Sequence, residues 1–182
     1  MTQGSHVRKA ALPEPSSLLT LAAAAQEKLT RAGSEQQIAG YSEQNVHARI
    51  ERGELWALEV SSGVIGGAFV EPATPERFPH IALWNAVLEG VALWFLYGLI
   101  VHPEHQGQGW GRVLLNGIYC KFQPNAPSVL LLDCWAGNTK LRRFYTDAGF
   151  DLHSVFPEGS YEIAVFRRNF SGCSDCSKSN TH

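Results

Sequence analysis

The run Leu99-Ile100-Val101-His102-Pro103-Glu104-His105-Gln106-Gly107-Gln108-Gly109-Trp110-Gly111-Arg112 constrains this chain more than any other stretch. It ends an apolar segment, Val91 to Val101, whose two alternating faces are both apolar, as expected of a central strand covered on both sides. A turn follows, and glycines at 107, 109 and 111 open a new amphipathic segment. Glycine lets a backbone approach a ligand closely, because no side chain intervenes. The N–H groups at a helix start carry the positive end of the helix dipole. A strand feeding such a turn suits a phosphate or pyrophosphate; the plain alternative is a glycine-rich joint between strand and helix.

Two phosphate loops are excluded by spacing. No Lys-Ser/Thr pair follows the last glycine, as a nucleotide-hydrolase P-loop requires. The glycines also miss the Gly-x-Gly-x-x-Gly order of dinucleotide folds. What stands is Gln106-x-x-Gly109-x-Gly111.

A second segment adds to it. Val129 to Trp135 is apolar except for Asp133, and Gly137-Asn138 ends it. Leu141, Phe144, Tyr145 and Ala148 then fall on one helical face, followed by Gly149 at a C-cap position and Phe150 opening an extended run.

Together these residues resemble the GCN5-related N-acetyltransferase (GNAT) family. Gln106-x-x-Gly109-x-Gly111 is similar to its Gln/Arg-x-x-Gly-x-Gly/Ala signature, and Asn138…Tyr145…Gly149-Phe150 to its second motif, in the same order and at a matching distance. The strong resemblance covers residues 91 to 168; the N-terminal half shares only the pattern of elements. It implies an α/β fold of one domain, a mixed central β-sheet flanked by α-helices, over residues 1–170, with 171–182 reading as a disordered polar tail. It implies acetyl-coenzyme A as cosubstrate. The cofactor would lie on Leu99, Ile100 and Val101, on the loop Gln106, Gly107, Gln108, Gly109, Trp110, Gly111 and Arg112, and on Asn138 and Tyr145. Arg112 is equally suited to solvent, and Asn138 also suits a helix N-cap. In the family the strand before the loop splays from its neighbour, and Gly98 fits such a departure; otherwise Gly98 is a strand glycine packed under an aromatic ring.

The resemblance makes Tyr145 the general acid, since a phenol of pKa about 10 matches a thiolate leaving group in basicity. A structural tyrosine at the helix–core boundary is the alternative. For the base, Asp133 is a lone carboxylate in an apolar strand, so it is paired, solvated, protonated or functional. Some family members use a carboxylate at the equivalent place, and a structural role stands beside that one. Glu71, Glu89, Tyr97 and a water are further candidates. His102 and His105 read as solvated loop residues.

Composition narrows the rest. A net charge of −2 gives no basic face for nucleic acid, and no apolar run is long enough to span a bilayer. Residues 1–11 lack the apolar core of a secretion signal, so a cytoplasmic protein is expected. Four cysteines do not make a disulfide framework; Cys120 and Cys134 read as reduced core residues, and Cys173-x-x-Cys176 lacks the further ligands of a zinc site, so no metal is expected. The resemblance implies acetyl transfer to a primary amine, expected to be that of a small molecule, by direct attack, with a homodimer left open. The alternatives are a protein N-terminal or lysine acetyltransferase and a non-catalytic acyl-coenzyme A sensor. Trp84, Trp94, Phe95, Tyr97 and Trp135 are candidates either for an aromatic acceptor pocket or for ordinary core.

The elements expected elsewhere are a strand at Val7 to Ala11, a helix capped by Ser16 or Ser17 and stopped at Gly33, and a helix capped by Ser42 and stopped by Gly53. A hairpin follows from Leu55 to Val60 and Val64 to Val70, then a proline-rich loop over Glu71 to Pro79.

Overall fold

A computed structural model describes residues 4–12, 14–31, 38–80, 90–122, 124 and 127–170. Among them are strands β1 His6–Lys9, β2 Leu55–Val60, β3 Gly63–Pro72, β4 Ala92–Val101, β5 Ser128–Trp135, β6 Asp151–Glu158 and β7 Tyr161–Phe170. The α-helices are α1 Pro15–Arg31, α2 Glu43–Glu51, α3 Trp110–Lys121 and α4 Thr139–Asp147. The strands hydrogen-bond in the order β1-β2-β3-β4-β5-β7-β6. β4 and β5 run parallel, whereas β1/β2, β2/β3, β5/β7 and β6/β7 are antiparallel. The sheet is therefore mixed. The predicted stop at Gly33, the segment 81–89 with Trp84 and Glu89, and the tail 171–182 with Cys173 and Cys176 lie outside the described residues.

Contacts group the chain into two units. The first draws on Met1–Glu71 and Leu96–Ile118. Its first helix opens on Pro15, earlier than Ser16 or Ser17 would set it. Proline is favoured at a first helical position because the N–H it lacks would have no helical partner there. Leu18, Leu21, Ala22 and Ala25 face inward. α2 starts as expected: the Ser42 hydroxyl accepts the Asn45 N–H, and Val46 and Ile50 are buried. Leu18, Val46, Ile50, Leu55 and Phe69 share one core cluster, each contributing roughly 1.5–3 kcal/mol through burial. Gly117 seats α3 on β1, since a Cβ there would stand 2.5 Å from a Val7 methyl.

The expected loop at Glu71 is corrected by the structure. β3 continues through Glu71 and Pro72. Proline closes a strand without cost where no further ladder bond needs its N–H.

The second unit draws on Pro72–Phe95 and Tyr119–His182. Here β4 and β5 pair from Ala92↔Ser128 to Phe95↔Leu131. β5 pairs along its length with β7, from Ser128↔Phe170 to Trp135↔Ile163. The Val129–Leu132 run is buried, as its composition demands. α4 ends where predicted: Gly149 adopts φ +82°, and the Phe150 N–H returns to the Tyr145 carbonyl at 3.1 Å.

Candidate active site

In the first unit, β4 leads into a short 3₁₀ turn, Pro103–His105, and then the glycine loop. The His102 N–H holds the strand exit to the Ile65 carbonyl at 2.8 Å. Gln106 turns its side chain back, and its Nε2 donates to the Val101 carbonyl at 2.9 Å. Gln108 Nε2 likewise donates to the Glu104 carbonyl at 2.9 Å. These bonds fix the loop internally, so both glutamines serve its shape.

Gly107 and Gly109 take φ of +78° and +86°, a region costly for residues with a Cβ. Nothing lies within 4 Å of where a Cβ would stand at either one. The glycines are therefore required by backbone conformation and leave open space before the helix. The Gly109 carbonyl accepts the N–H groups of Arg112 and Val113, which starts α3. The N–H groups of Trp110 and Gly111 then have no acceptor within the helix, as at every helix start. This cradle fits a pyrophosphate. Arg112 is exposed.

Gly98, further back in β4, has φ +60°. A Cβ there would meet the Ala39 carbonyl oxygen at 2.8 Å, Phe69 at 2.9 Å and Tyr41 at 3.1 Å. Both sequence readings hold: the strand departs from regular geometry, and the glycine is packed under aromatic rings. Leu99 is half-buried, and Ile100 and Val101 are buried.

Glu71 and Tyr97, two candidate bases, prove to be partners. Glu71 is 0% exposed. It accepts the Tyr97 hydroxyl at 2.5 Å and pairs with Arg49. Both of its carboxylate oxygens are thus engaged, Oε1 by Tyr97 and Oε2 by Arg49. Arg49 also donates to Glu54 at 2.8 Å.

In the second unit, Asn138 caps α4, its Oδ1 accepting the Leu141 N–H at 3.0 Å. Tyr145 is buried, with its ring centroid 5.6 Å from that of Phe166 and 6.3 Å from that of Phe150. Burial holds its phenol well above the ordinary value, and Cys134 and Asp133 add to the effect. Asp133 is pushed up to about 6, first by burial and then by the charge of Glu158. Among the described residues it has no ion-pair or hydrogen-bond partner for its side chain. It therefore titrates near neutrality, within electrostatic reach of Tyr145. Burial also raises the neighbouring Cys134 thiol to about 11, so it stays protonated.

The candidate acceptor aromatics fare differently. Phe95 packs on Phe78, Trp94 on Phe122 and Tyr97 on Phe69, whereas Trp135 is 52% exposed. His102 is partly exposed and accepts the Glu104 N–H, a turn role. Among the described residues, Cys134 is a buried free thiol, and no cluster of His, Cys, Asp and Glu is arranged to hold a metal. No helix there is long and apolar enough to cross a membrane.

Sequence reading missed Tyr41, Asn45, Arg49 and Glu54. The signal for two of them was present: Asn45 and Arg49 are four apart on a helix that Ser42 caps, and Arg49 Nε does donate to Asn45 Oδ1 at 3.0 Å.

Residues 51–152 match the acetyltransferase (GNAT) domain family, and the chain belongs to it. Similar solved structures share the fold. A GNAT acetyltransferase from Streptococcus agalactiae superposes with a TM-score of 0.73 at 15% identity, covering 93% of this chain and 98% of its own. One from Listeria monocytogenes gives 0.70 at 21% identity, with the same coverage. The PaiA N-acetyltransferase from Thermoplasma acidophilum, solved in complex with coenzyme A, gives 0.62 at 18%, covering 89% and 98%. No curated protein sequence matches the chain significantly.

Proposed function

We propose that this protein moves acetyl from acetyl-coenzyme A to a primary amine of a small molecule by direct attack, with Tyr145 as general acid and Asp133 as general base. The observation that carries the reading is the loop after β4, where Gly107 and Gly109 take left-handed backbone angles and open directly onto the start of α3.

In this reading Gly107 to Arg112 hold the pyrophosphate through backbone N–H groups and the helix dipole. Leu99 to Val101 offer the peptide groups for the pantetheine arm, on the part of β4 beyond its last rung with β5. When bound, acetyl-coenzyme A supplies an activated thioester. Juxtaposing two reactants supplies several kcal/mol of a transfer barrier, roughly 7–11 at best. Asp133, half charged near pH 6, takes a proton from an arriving ammonium. Burial keeps Tyr145 protonated and makes it a weaker acid than a free phenol; a thiolate leaving into the same buried setting gains basicity for the same reason and takes that proton. Asn138 holds the start of α4 and with it the direction of the helix that carries Tyr145.

The reading is tested by presenting acetyl-coenzyme A with a panel of primary amines and protein-like peptides and following free coenzyme A. Saturable release with small amines is expected. Release only with peptides would move the acceptor to proteins, and no release with any acceptor, despite tight binding, would favour a sensor.

A further inference from the structure

A closed circuit of hydrogen bonds surrounds the irregular point of β4. Starting at Gly98, its carbonyl accepts the Tyr41 hydroxyl at 2.9 Å. Next to Tyr41, the Gly40 carbonyl accepts Asn45 Nδ2 at 2.7 Å. Asn45 Oδ1 accepts from Arg49 Nε, and Arg49 pairs with Glu71. Glu71 accepts the hydroxyl of Tyr97, the residue before Gly98. The ring thus returns to its start through a loop, α2, β3 and β4. None of these bonds reaches the glycine loop, and none belongs to the chemistry assigned above.

Packing closes the same circuit. Phe69 lies between the Tyr41 ring at 4.7 Å and the Tyr97 ring at 4.9 Å. Gly40 has φ +92°, and a Cβ on it would stand 2.7 Å from Phe69 and 2.9 Å from Tyr97. Two left-handed glycines, one in the loop and one in the strand, are pressed against one phenylalanine. A glycine in this conformation has little steric preference of its own, so its neighbours must decide where the chain goes.

The geometry points to Tyr41 as a positioning residue for acyl transfer: by holding the Gly98 carbonyl it sets the direction in which the backbone of Leu99 to Val101 is presented to the thioester end of acetyl-coenzyme A. Peptide planarity carries this direction across the Gly98–Leu99 bond. The Gly98 C=O and the Leu99 N–H belong to one trans peptide and point in opposite directions. With the carbonyl fixed on Tyr41, the Leu99 N–H is fixed facing away from Tyr41. A donor held in place before the reaction stabilises charge on a carbonyl oxygen without reorganising. The Arg49–Glu71 pair serves the same end through Tyr97. A buried ion pair adds little stability over an apolar replacement, but it holds Tyr97, and so the entry to Gly98, in one orientation.

This inference rests on the proposed cofactor reading, and its test separates the two. Tyr41→Phe removes one hydroxyl and keeps the ring that packs on Phe69. Amide exchange at Leu99 is measured first, without ligand. Calorimetry then gives affinities for acetyl-coenzyme A and for 3′-phosphoadenosine 5′-diphosphate, the half of the cofactor that would meet only the glycine loop. In the variant, Leu99 exchange should quicken and acetyl-coenzyme A affinity should fall about five- to tenfold, the scale of one lost hydrogen bond, with nucleotide affinity unchanged. The value of kcat should fall by a similar factor. Asn45→Ala, one link away, should give the same signature more weakly. A Tyr41→Phe protein with wild-type exchange and a wild-type affinity ratio overturns the inference, as does one that loses both affinities equally. If the wild type itself fails to bind acetyl-coenzyme A, the cofactor reading fails and the inference with it, a result seen before any variant is made.

Discussion

Arg168 Nη1 donates to the Ala148 carbonyl at 2.9 Å, so a side chain from β7 closes the C-terminal end of the helix that carries Tyr145. The same guanidinium lies 3.5 Å from the Tyr119 ring centroid. A cation at a helix C-terminus meets both an orphan carbonyl and the negative end of the dipole.

Arg168→Ala should therefore loosen the end of α4. A charge-assisted hydrogen bond contributes about 1.5–3 kcal/mol, and denaturant unfolding should show a loss in that range. Arg168→Lys should recover only part of it, since an ammonium cannot lie flat on Tyr119 while reaching Ala148. Equal stability of the alanine variant and the wild type would show that the cap contributes nothing.

Tyr145→Phe tests the acid. The ring and its contacts with Phe150 and Phe166 remain, so stability should change little. Turnover should fall roughly 10- to 1000-fold while acetyl-coenzyme A affinity is kept. Unchanged kcat, under conditions where chemistry limits turnover, would remove Tyr145 from the reaction.

Asp133→Asn makes a prediction with two opposite signs. The folded carboxyl binds its proton more tightly than the unfolded one, whose pKa is about 4. Its contribution to stability is thus complete below that value and is lost as the pH rises through about 6. The asparagine variant never ionises. Above pH 7 it should be more stable than the wild type by on the order of 2–3 kcal/mol, with the gain vanishing toward acid. Activity should move the other way: low at neutral pH, and partly restored at high pH, where the amine arrives deprotonated. Thermal melts and rates across the same pH series check both. A stabilised variant with a wild-type pH–rate profile would make Asp133 a structural acid and leave the base to a water or to Glu89.

Gly109→Val would force a β-branched residue to φ +86° at the mouth of α3. The strain should cost about 1–3 kcal/mol of stability. The larger effect should be on binding, with acetyl-coenzyme A affinity lost by far more than the stability change alone predicts. Titration calorimetry on the folded fraction checks this, and unchanged affinity would detach the glycine loop from the cofactor.

The elements around the site were legible because their signals are local. Three alternating glycines, an asparagine cap and the Leu141/Phe144/Tyr145/Ala148 face lie within one helix or turn each, and the structure has those elements within a residue or two. The continuation of β3 through Pro72 was hidden because proline reads as a breaker unless it stands last in its strand. The circuit at Gly98 was hidden for another reason. Tyr41 and Gly98 are 57 residues apart, and Arg49 and Glu71 are 22 apart. Periodicity speaks for faces of single elements and is silent about which faces meet. The sequence offers Glu71 only as a candidate base; its partners Arg49 and Tyr97 emerge only once helix and strands are assembled.

Asn138 is built with half of its oxygen already spent. One lone pair of Oδ1 is committed to the Leu141 N–H, which leaves one lone pair there and two N–H groups on Nδ2. The vocabulary left to it is weighted toward giving: it is better equipped to greet a carbonyl than an N–H. Folding of the helix has in this way already biased which atoms of a visiting molecule the residue recognises.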